Sequence, residues 1–265
     1  MLSEVKGLVI KAVDMRESDR LITVFTEEMG IITAMAKGSR SLKSRNMSTT
    51  MPFCYSSFVL YKKGDNYWVR ESELHESFFG IRESIEGLAL AGYILEVIAH
   101  VAVEAPERDL LRLTLNSLYA ISSRKYSLDK IKAAFEIRAL SILGFMPSVL
   151  SCRDCTRETG DFFFDIMGGY IRCPECRDKM RGIDDDEGED ARVVTILSEG
   201  AKIALGYCIY APLEKLFSFN LSDEDSSLFS RACEQYLLNQ LERPFKTLDF
   251  YLDVSRPKKP KAIKE

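Results

Sequence analysis

The chain has 265 residues, enough for one large domain or two to three small modules. Apolar residues make up 46% and charged residues 29%, which is ordinary for a soluble globular protein and excludes wholesale disorder. With 36 Lys and Arg against 40 Asp and Glu, the net charge of −4 excludes a uniformly basic coat but leaves room for a local basic patch.

In chain order, the first eighty residues read as strands. Residues 5–13 are β-branched and small apolar, broken by Lys6 and Lys11, and Arg16-Glu17-Ser18-Asp19 turns the chain. Residues 21–25 and 31–36 are the second and third strands, separated by Glu27-Glu28-Met29-Gly30. Residues 58–61 and 67–70 flank Lys62-Lys63-Gly64-Asp65-Asn66, a hairpin signature. Five short strands suit a small barrel such as an OB-fold, and an SH3-like barrel fits nearly as well.

Past Phe78 the pattern turns helical. Ile85, Leu88, Gly92, Leu95, Ala99 and Ala102 share one face, and Pro106 ends the run. That stretch contains Glu96 and His100 and is too short to span a bilayer comfortably. Leu111, Leu115 and Leu118 mark a second helix; Ile131, Phe135, Ala139 and Ile142 mark a third, closed by Gly144 and Pro147. The acidic run at residues 184–190 reads as an exposed linker. Helices resume after Ser198, and Ser222-Asp223-Glu224-Asp225 is a capping box before the apolar face of Phe229, Cys233, Tyr236, Leu237 and Leu241. The Pro-rich basic end reads as a tail. Expected modules are therefore a nucleic-acid-binding barrel at 1–79, a helical part at 80–150, a cysteine module at 151–182, a second helical part at 183–255 and the tail at 256–265. Met1 to Lys6 shows no basic head before an apolar run, so the expected compartment is the cytoplasm.

Four of the seven cysteines form two pairs, Cys152-x-x-Cys155 and Cys173-x-x-Cys176, with 17 residues between them. Each Cys-x-x-Cys turn offers two thiolates to one side of an ion, and this spacing lies within that of zinc sites. Phe162-Phe163-Phe164 and Gly168-Gly169-Tyr170 between them suit the hairpin arm of a zinc ribbon. A redox dithiol needs one such pair rather than two, and chance placement of four cysteines at these spacings is improbable. With protein in all four positions, one Zn2+ here would be structural. Cys233 reads as a core residue, and neither Cys54 nor Cys208 has a neighbouring base. No catalytic constellation is assembled around His75 or His100.

Between Lys37 and Lys63 the basic residues are Lys37, Arg40, Lys43, Arg45, Lys62 and Lys63, with no acid among them. Ser39, Ser41, Ser44, Asn46, Ser48, Thr49 and Thr50 fill the gaps, a mixture of donors suited to a phosphate backbone. The segment would be a loop at the barrel rim, followed by Tyr55, Phe58, Tyr61, Tyr67 and Trp68, aromatics of the kind on which bases stack. The bland reading is a solvated loop beside core aromatics.

Three segments carry a family resemblance: Gly7-Leu8-Val9-Ile10-Lys11 through Arg16-Glu17-Ser18-Asp19-Arg20-Leu21 to Ala36-Lys37-Gly38-Ser39-Arg40; Leu143-Gly144-Phe145-Met146-Pro147 running into Cys152-x-x-Cys155; and Leu241-Glu242-Arg243-Pro244-Phe245-Lys246-Thr247-Leu248-Asp249-Phe250. In this order they resemble the RecO family of bacterial DNA repair and recombination mediators. The resemblance implies an N-terminal OB-fold, an all-α helical domain with an inserted four-cysteine zinc module, and no catalytic residues. It implies binding of single- and double-stranded DNA, strand annealing, partnership with RecR and with the acidic C-terminal tail of the single-stranded-DNA-binding protein, and help in loading RecA, in the cytoplasm at the nucleoid. The family's basic N-terminal residues map onto Lys37, Arg40, Lys43 and Arg45. Thr156 departs from the pattern, since many members carry Gly after the second cysteine. An apolar pocket with a Lys or Arg would hold the acidic tail, and Arg112, Arg124, Lys130 and Lys132 are basic residues on the helical part.

Two rivals come from other classes. A ligase-like nucleotidyltransferase also combines a barrel with a four-cysteine site, but Lys63-Gly64-Asp65-Asn66 misses the final Gly of its Lys-x-Asp-Gly motif, and no Gly-rich phosphate loop exists. A zinc-ribbon transcription factor would show sequence-selective duplex binding.

Overall fold

The computed structural model describes residues 2–15, 17–64, 66–181 and 193–255. The expected acidic linker, the basic tail, Arg16 and Asp65 lie outside the described residues. Two compact units form: one runs from the N-terminus to Arg124 and takes the chain back from Phe245, and the other is Lys125–Pro244.

The first unit opens with strands β1 (Leu2–Met15), β2 (Asp19–Thr26), β3 (Gly30–Ala36), β4 (Tyr55–Lys63) and β5 (Asn66–Glu76). They close into a barrel of order β1-β2-β3-β5-β4. Only the β3–β5 pairing is parallel, an OB-like closure that decides against the SH3-like alternative. Strand β1 is longer than its apolar run suggests because it serves two partners. Leu2 to Leu8 pair with β4, and from Gly7 the strand pairs with β2. At that crossover a Cβ on Gly7 would lie 2.5 Å from Val24 Cγ1, so only glycine fits. Strand β5 likewise extends through Glu71-Ser72-Glu73-Leu74-His75-Glu76, whose exposed polar character hid it from the hydrophobic pattern. Val5, Val9, Ile22, Val24, Ile32, Ala34, Phe58, Leu60 and Val69 point inward as the barrel core.

Helices α1 (Ile85–Val101), α2 (Arg108–Ser123) and α7 (Lys246–Ser255) complete this unit. Ser84 caps α1 by accepting from Gly87 N. Of the residues that share one face of α1, Ile85, Leu88 and Ala99 are exposed and Leu95 is buried, and Leu90, Ala91, Tyr93, Ile94, Val97 and Ile98 are buried on the other sides. A helix apolar on nearly every side gives its periodicity no power to name the buried face. Phe245 packs edge-on against Tyr93 and His100, at 5.8 and 6.0 Å between ring centroids. Thr247 donates its backbone N–H and its hydroxyl to Glu96, at 3.1 and 2.5 Å. Gly30, at φ +66°, brings the β2–β3 turn against Val103, whose carbonyl accepts from Ile31 N at 3.0 Å.

The second unit contains α3 (Leu128–Ile142), β6 (Phe162–Asp165), β7 (Tyr170–Arg172), α4 (Pro174–Arg181), β8 (Val194–Leu197), α5 (Glu199–Tyr210) and α6 (Asp223–Gln240). The sheet order is β7-β6-β8. The expected hairpin arm is β6–β7, and β8, which the sequence reading did not include, pairs with β6. Alternation buries Phe162 and Phe164 and turns Phe163 outward, under the Arg177 guanidinium at 3.9 Å. Ser222 caps α6 as its box predicts, accepting from Asp225 N at 3.1 Å.

Candidate functional site

Two constellations stand out, one in each unit. In the second, the loop before β6 and the start of α4 bring Cys152, Cys155, Cys173 and Cys176 together, every sulfur within 4.8 Å of the others. Pro174 opens α4, a position where its missing N–H costs nothing, and so fixes the second cysteine turn. Arg153 N donates to Ile171 O at 2.9 Å and ties the first turn to β7. Two ion pairs brace the module, Arg157 with Glu175 at 2.6 Å and Arg172 with Asp154 at 2.8 Å.

The donor set fits a tetrahedral metal. Four sulfurs about 2.3 Å from one ion would sit roughly 3.8 Å apart, and Cys155 Sγ and Cys173 Sγ are 3.6 Å apart. Burial opposes ionisation of Cys152, but backbone N–H groups of Cys173, Asp154 and Cys155 outweigh it and hold the thiol down to about 7. Cys176 goes the other way, pushed up to about 12 chiefly by sharing hydrogen bonds with Cys155 and Cys173. Four thiolates this close repel one another, and a divalent cation is what would let all four ionise. These cysteines could therefore hold a metal ion, with no position left for substrate. Thr156 occupies the left-handed region at φ +61° while its N–H still reaches Cys152 O at 3.1 Å. The departure from glycine strains the turn and leaves the ligands in place.

In the first unit, all six basic residues of the expected interface are exposed. Lys37 follows β3 with its ammonium 5.0 Å from the Trp68 ring centroid. Lys62 and Lys63 end β4, and Lys62 lies 5.7 Å from the Tyr67 ring. Arg40 is held by Asp14 at 3.3 Å. Lys43, Arg45 and Lys63 have no ion pair among the described residues.

The loop between β3 and β4 is not a spread of free donors. Ser39, Thr49 and Thr50 are buried. Their hydroxyls donate to Ala36 O, Asn46 O and Asn46 O, at 3.0, 3.1 and 2.7 Å. Ser72 donates to the Asn46 side chain at 2.8 Å. Successive turns at Gly38–Ser41, Ser41–Ser44, Ser44–Met47 and Ser48–Met51 fold the segment compactly. A loop this long must satisfy its own backbone, so these side chains build the loop while its Lys and Arg face water.

Charge separates along the β4–β5 hairpin. Lys62 and Lys63 lie opposite Tyr67 and Asn66 at the tip, whereas exposed Glu71, Glu73 and Glu76 lie opposite Val59, Ser57 and Tyr55. Of the acids nearest the loop, Asp14 pairs with Arg20 and Arg40, and Asp19 accepts from Gly38 N.

Register also makes a pair that the linear sequence hides: Ser57 Oγ lies 2.5 Å from His75 Nε2. Ser57 is on β4 and His75 on the acidic part of β5, and among the described residues no carboxylate holds the imidazole as a catalytic triad requires. Cys54 and Cys208 are buried, and burial pushes both thiols up, opposite to what a nucleophile needs. Three of the helical cations named for an acidic tail are already engaged. Lys132 is buried between Glu136 and Glu234 at 3.0 and 2.7 Å, Lys130 donates to Phe219 O at 2.5 Å, and Arg124 pairs with Glu83 at 2.9 Å. Spacing on a helix does not reveal which cations the core has taken. Among the described residues, no helix is long and apolar enough to cross a membrane.

Comparison with known proteins agrees with this architecture. The family model for the recombination protein O N-terminal region matches residues 1–78, and that for its C-terminal region matches residues 82–249. A DNA repair protein RecO of Acetivibrio thermocellus is 36% identical over 254 residues, covering 95% of this chain and 97% of that protein. Those of Caldicellulosiruptor saccharolyticus and Symbiobacterium thermophilum are 28% and 29% identical, covering 93% and 96% of this chain and 96% and 98% of theirs. Barrel, helices, cysteine cluster and matches over nearly the whole length place the chain in the RecO family of DNA repair proteins.

Proposed function

We propose that the chain is a non-enzymatic mediator of DNA repair and homologous recombination, acting in the cytoplasm at the nucleoid. Its barrel binds single- and double-stranded DNA through Lys37, Arg40, Lys43, Arg45, Lys62 and Lys63. The observation that supports this reading is the set of six exposed cations on β4 and the segment from Lys37 to Arg45, of which Lys43, Arg45 and Lys63 are free of ion pairs among the described residues. Free cations exchange condensed counterions for phosphate contacts.

The work is physical. Two DNA strands repel each other, and a cationic rim lowers that repulsion enough for complementary strands to anneal. One structural Zn2+ on Cys152, Cys155, Cys173 and Cys176 would tie the loop before β6 to α4 and supply folding energy rather than chemistry. Partnership with RecR, capture of the acidic tail of the single-stranded-DNA-binding protein, and help in loading RecA complete the role. Lys63, the candidate nucleotidyl carrier of the ligase reading, sits at an exposed hairpin tip, a solvated setting that favours the non-enzymatic reading.

A strand-annealing assay with the coating protein present, with and without its acidic tail, tests the proposal. Acceleration that needs the tail supports it. No acceleration refutes it, and binding confined to one duplex sequence favours the transcription-factor reading.

A further inference from the structure

We propose that Tyr61 and Trp68 form a stacking platform for unpaired nucleobases, adding affinity for single strands that duplex DNA does not receive. This rests on the reading of the barrel as a nucleic-acid binder. Five aromatics follow the cationic loop in sequence, and the fold sorts them. Phe58 is in the barrel core, Tyr67 packs against that core, and Tyr55 donates its hydroxyl to Glu27 at the acidic end. Tyr61 and Trp68 remain. They are directly opposite in the β4–β5 register and point outward, since their neighbours Leu60 and Val69 point in. Their rings are nearly parallel, 18° apart in plane and 6.4 Å between centroids.

The pair belongs to an apolar row where an outer barrel surface is ordinarily polar. Leu2 lies opposite Tyr61 and is 54% exposed, and Met35 lies opposite Trp68. Tyr61 and Trp68 are half-buried, and the indole Nε1 is itself buried with no hydrogen-bond partner among the described residues. The surrounding charge selects the occupant. Lys37 stands 5.0 Å from the indole, and Lys62 and Lys63 adjoin Tyr61 in sequence. The next acids along the register are Glu71 and Glu4, both opposite Val59, and Glu71 pairs with Arg70. An apolar aromatic row beside cations fits a ligand with π-faces and phosphates.

Base stacking on aromatic side chains needs a free base face. In a duplex those faces are covered by neighbouring base pairs, and exposing one means flipping it out. The platform therefore adds to single-strand binding alone, whereas Lys43 and Arg45 contact phosphates of either form.

The chain has one tryptophan, so emission from the full-length protein reports on Trp68 alone. Titration with an oligothymidylate is expected to quench it, and a blunt duplex of equal length is not. Trp68→Ala and Tyr61→Ala should each lower oligothymidylate affinity by about 5- to 150-fold and leave duplex affinity unchanged. Trp68→Phe, which keeps a ring, should retain most single-strand binding and shows that the barrel tolerates substitution there. Unchanged emission while the oligonucleotide is bound would overturn the platform and leave the cationic interface standing. Equal losses for both DNA forms, or a self-association abolished by Trp68→Ala, would also overturn it. No binding of either DNA at low salt sinks the interface and the platform together.

Discussion

Neutralising Lys43 and Arg45 together, as Lys43→Ala with Arg45→Ala, tests the cationic loop directly. Both side chains are exposed and have no ion pair among the described residues, so their removal breaks nothing in the folded protein. Each lost phosphate contact lowers the salt slope by about 0.9 for duplex and about 0.7 for single strands. The double variant should therefore flatten the plot of log affinity against log salt by about 1.8 and about 1.4. Taken relative to 1 M salt, where the release term vanishes, this is about 60-fold in duplex affinity and about 25-fold for single strands at 0.1 M. Arg40→Ala should lose less than either residue of the double variant, because Arg40 already shares Asp14 with Arg20. Fluorescence anisotropy of labelled duplex and single-stranded oligonucleotides over a salt series measures both slopes. Unchanged slopes with an intact fold would show that DNA does not touch this loop.

Three further outcomes follow from the second unit. Purified protein should contain about one zinc per chain, as Cys173→Ser should not, by metal analysis; metal-free native protein would contradict the site. Lys132→Met leaves buried Glu136 without its cation and should cost about 3–5 kcal/mol in urea unfolding, most of which Glu136→Leu in the same chain should restore. Burial pushes the Lys132 ammonium down, but Glu136 and Glu234 outweigh it and raise it above the ordinary 10.5. A raised folded-state value means the stabilisation is complete below pH 10.5 and is lost as pH climbs through the folded value, so the gap between wild type and Lys132→Met should hold at neutral pH and narrow only in strong alkali. Thr156→Gly relieves a left-handed backbone and should raise stability by about 1 kcal/mol without changing zinc content; lower stability would show that the threonine is favoured there.

Much of this molecule was determined locally, and local features were legible in the sequence. Short β-branched and apolar runs between polar turns mark the five barrel strands, though not the polar second half of β5. Ser222 announces a helix start because capping depends on a few neighbouring residues. The cysteine quartet was legible because metal ligation fixes both residue type and spacing. Tertiary structure alone decided what depends on residues far apart in the chain. Parallel pairing of β3 with β5 closes an OB-like barrel, and strand count cannot distinguish that closure from others. The register that sets Tyr61 beside Trp68 and Ser57 beside His75 belongs to two strands at once. Helix α1 buries the side opposite its exposed Ile85 and Leu88, where Phe245 and Thr247 return from 151 residues away to meet it. Lys132 and Lys43 are alike in sequence, and one is a core ion while the other faces solvent. A side chain's charge is written in the chain, but whether that charge is already neutralised is settled only by what folding brings beside it.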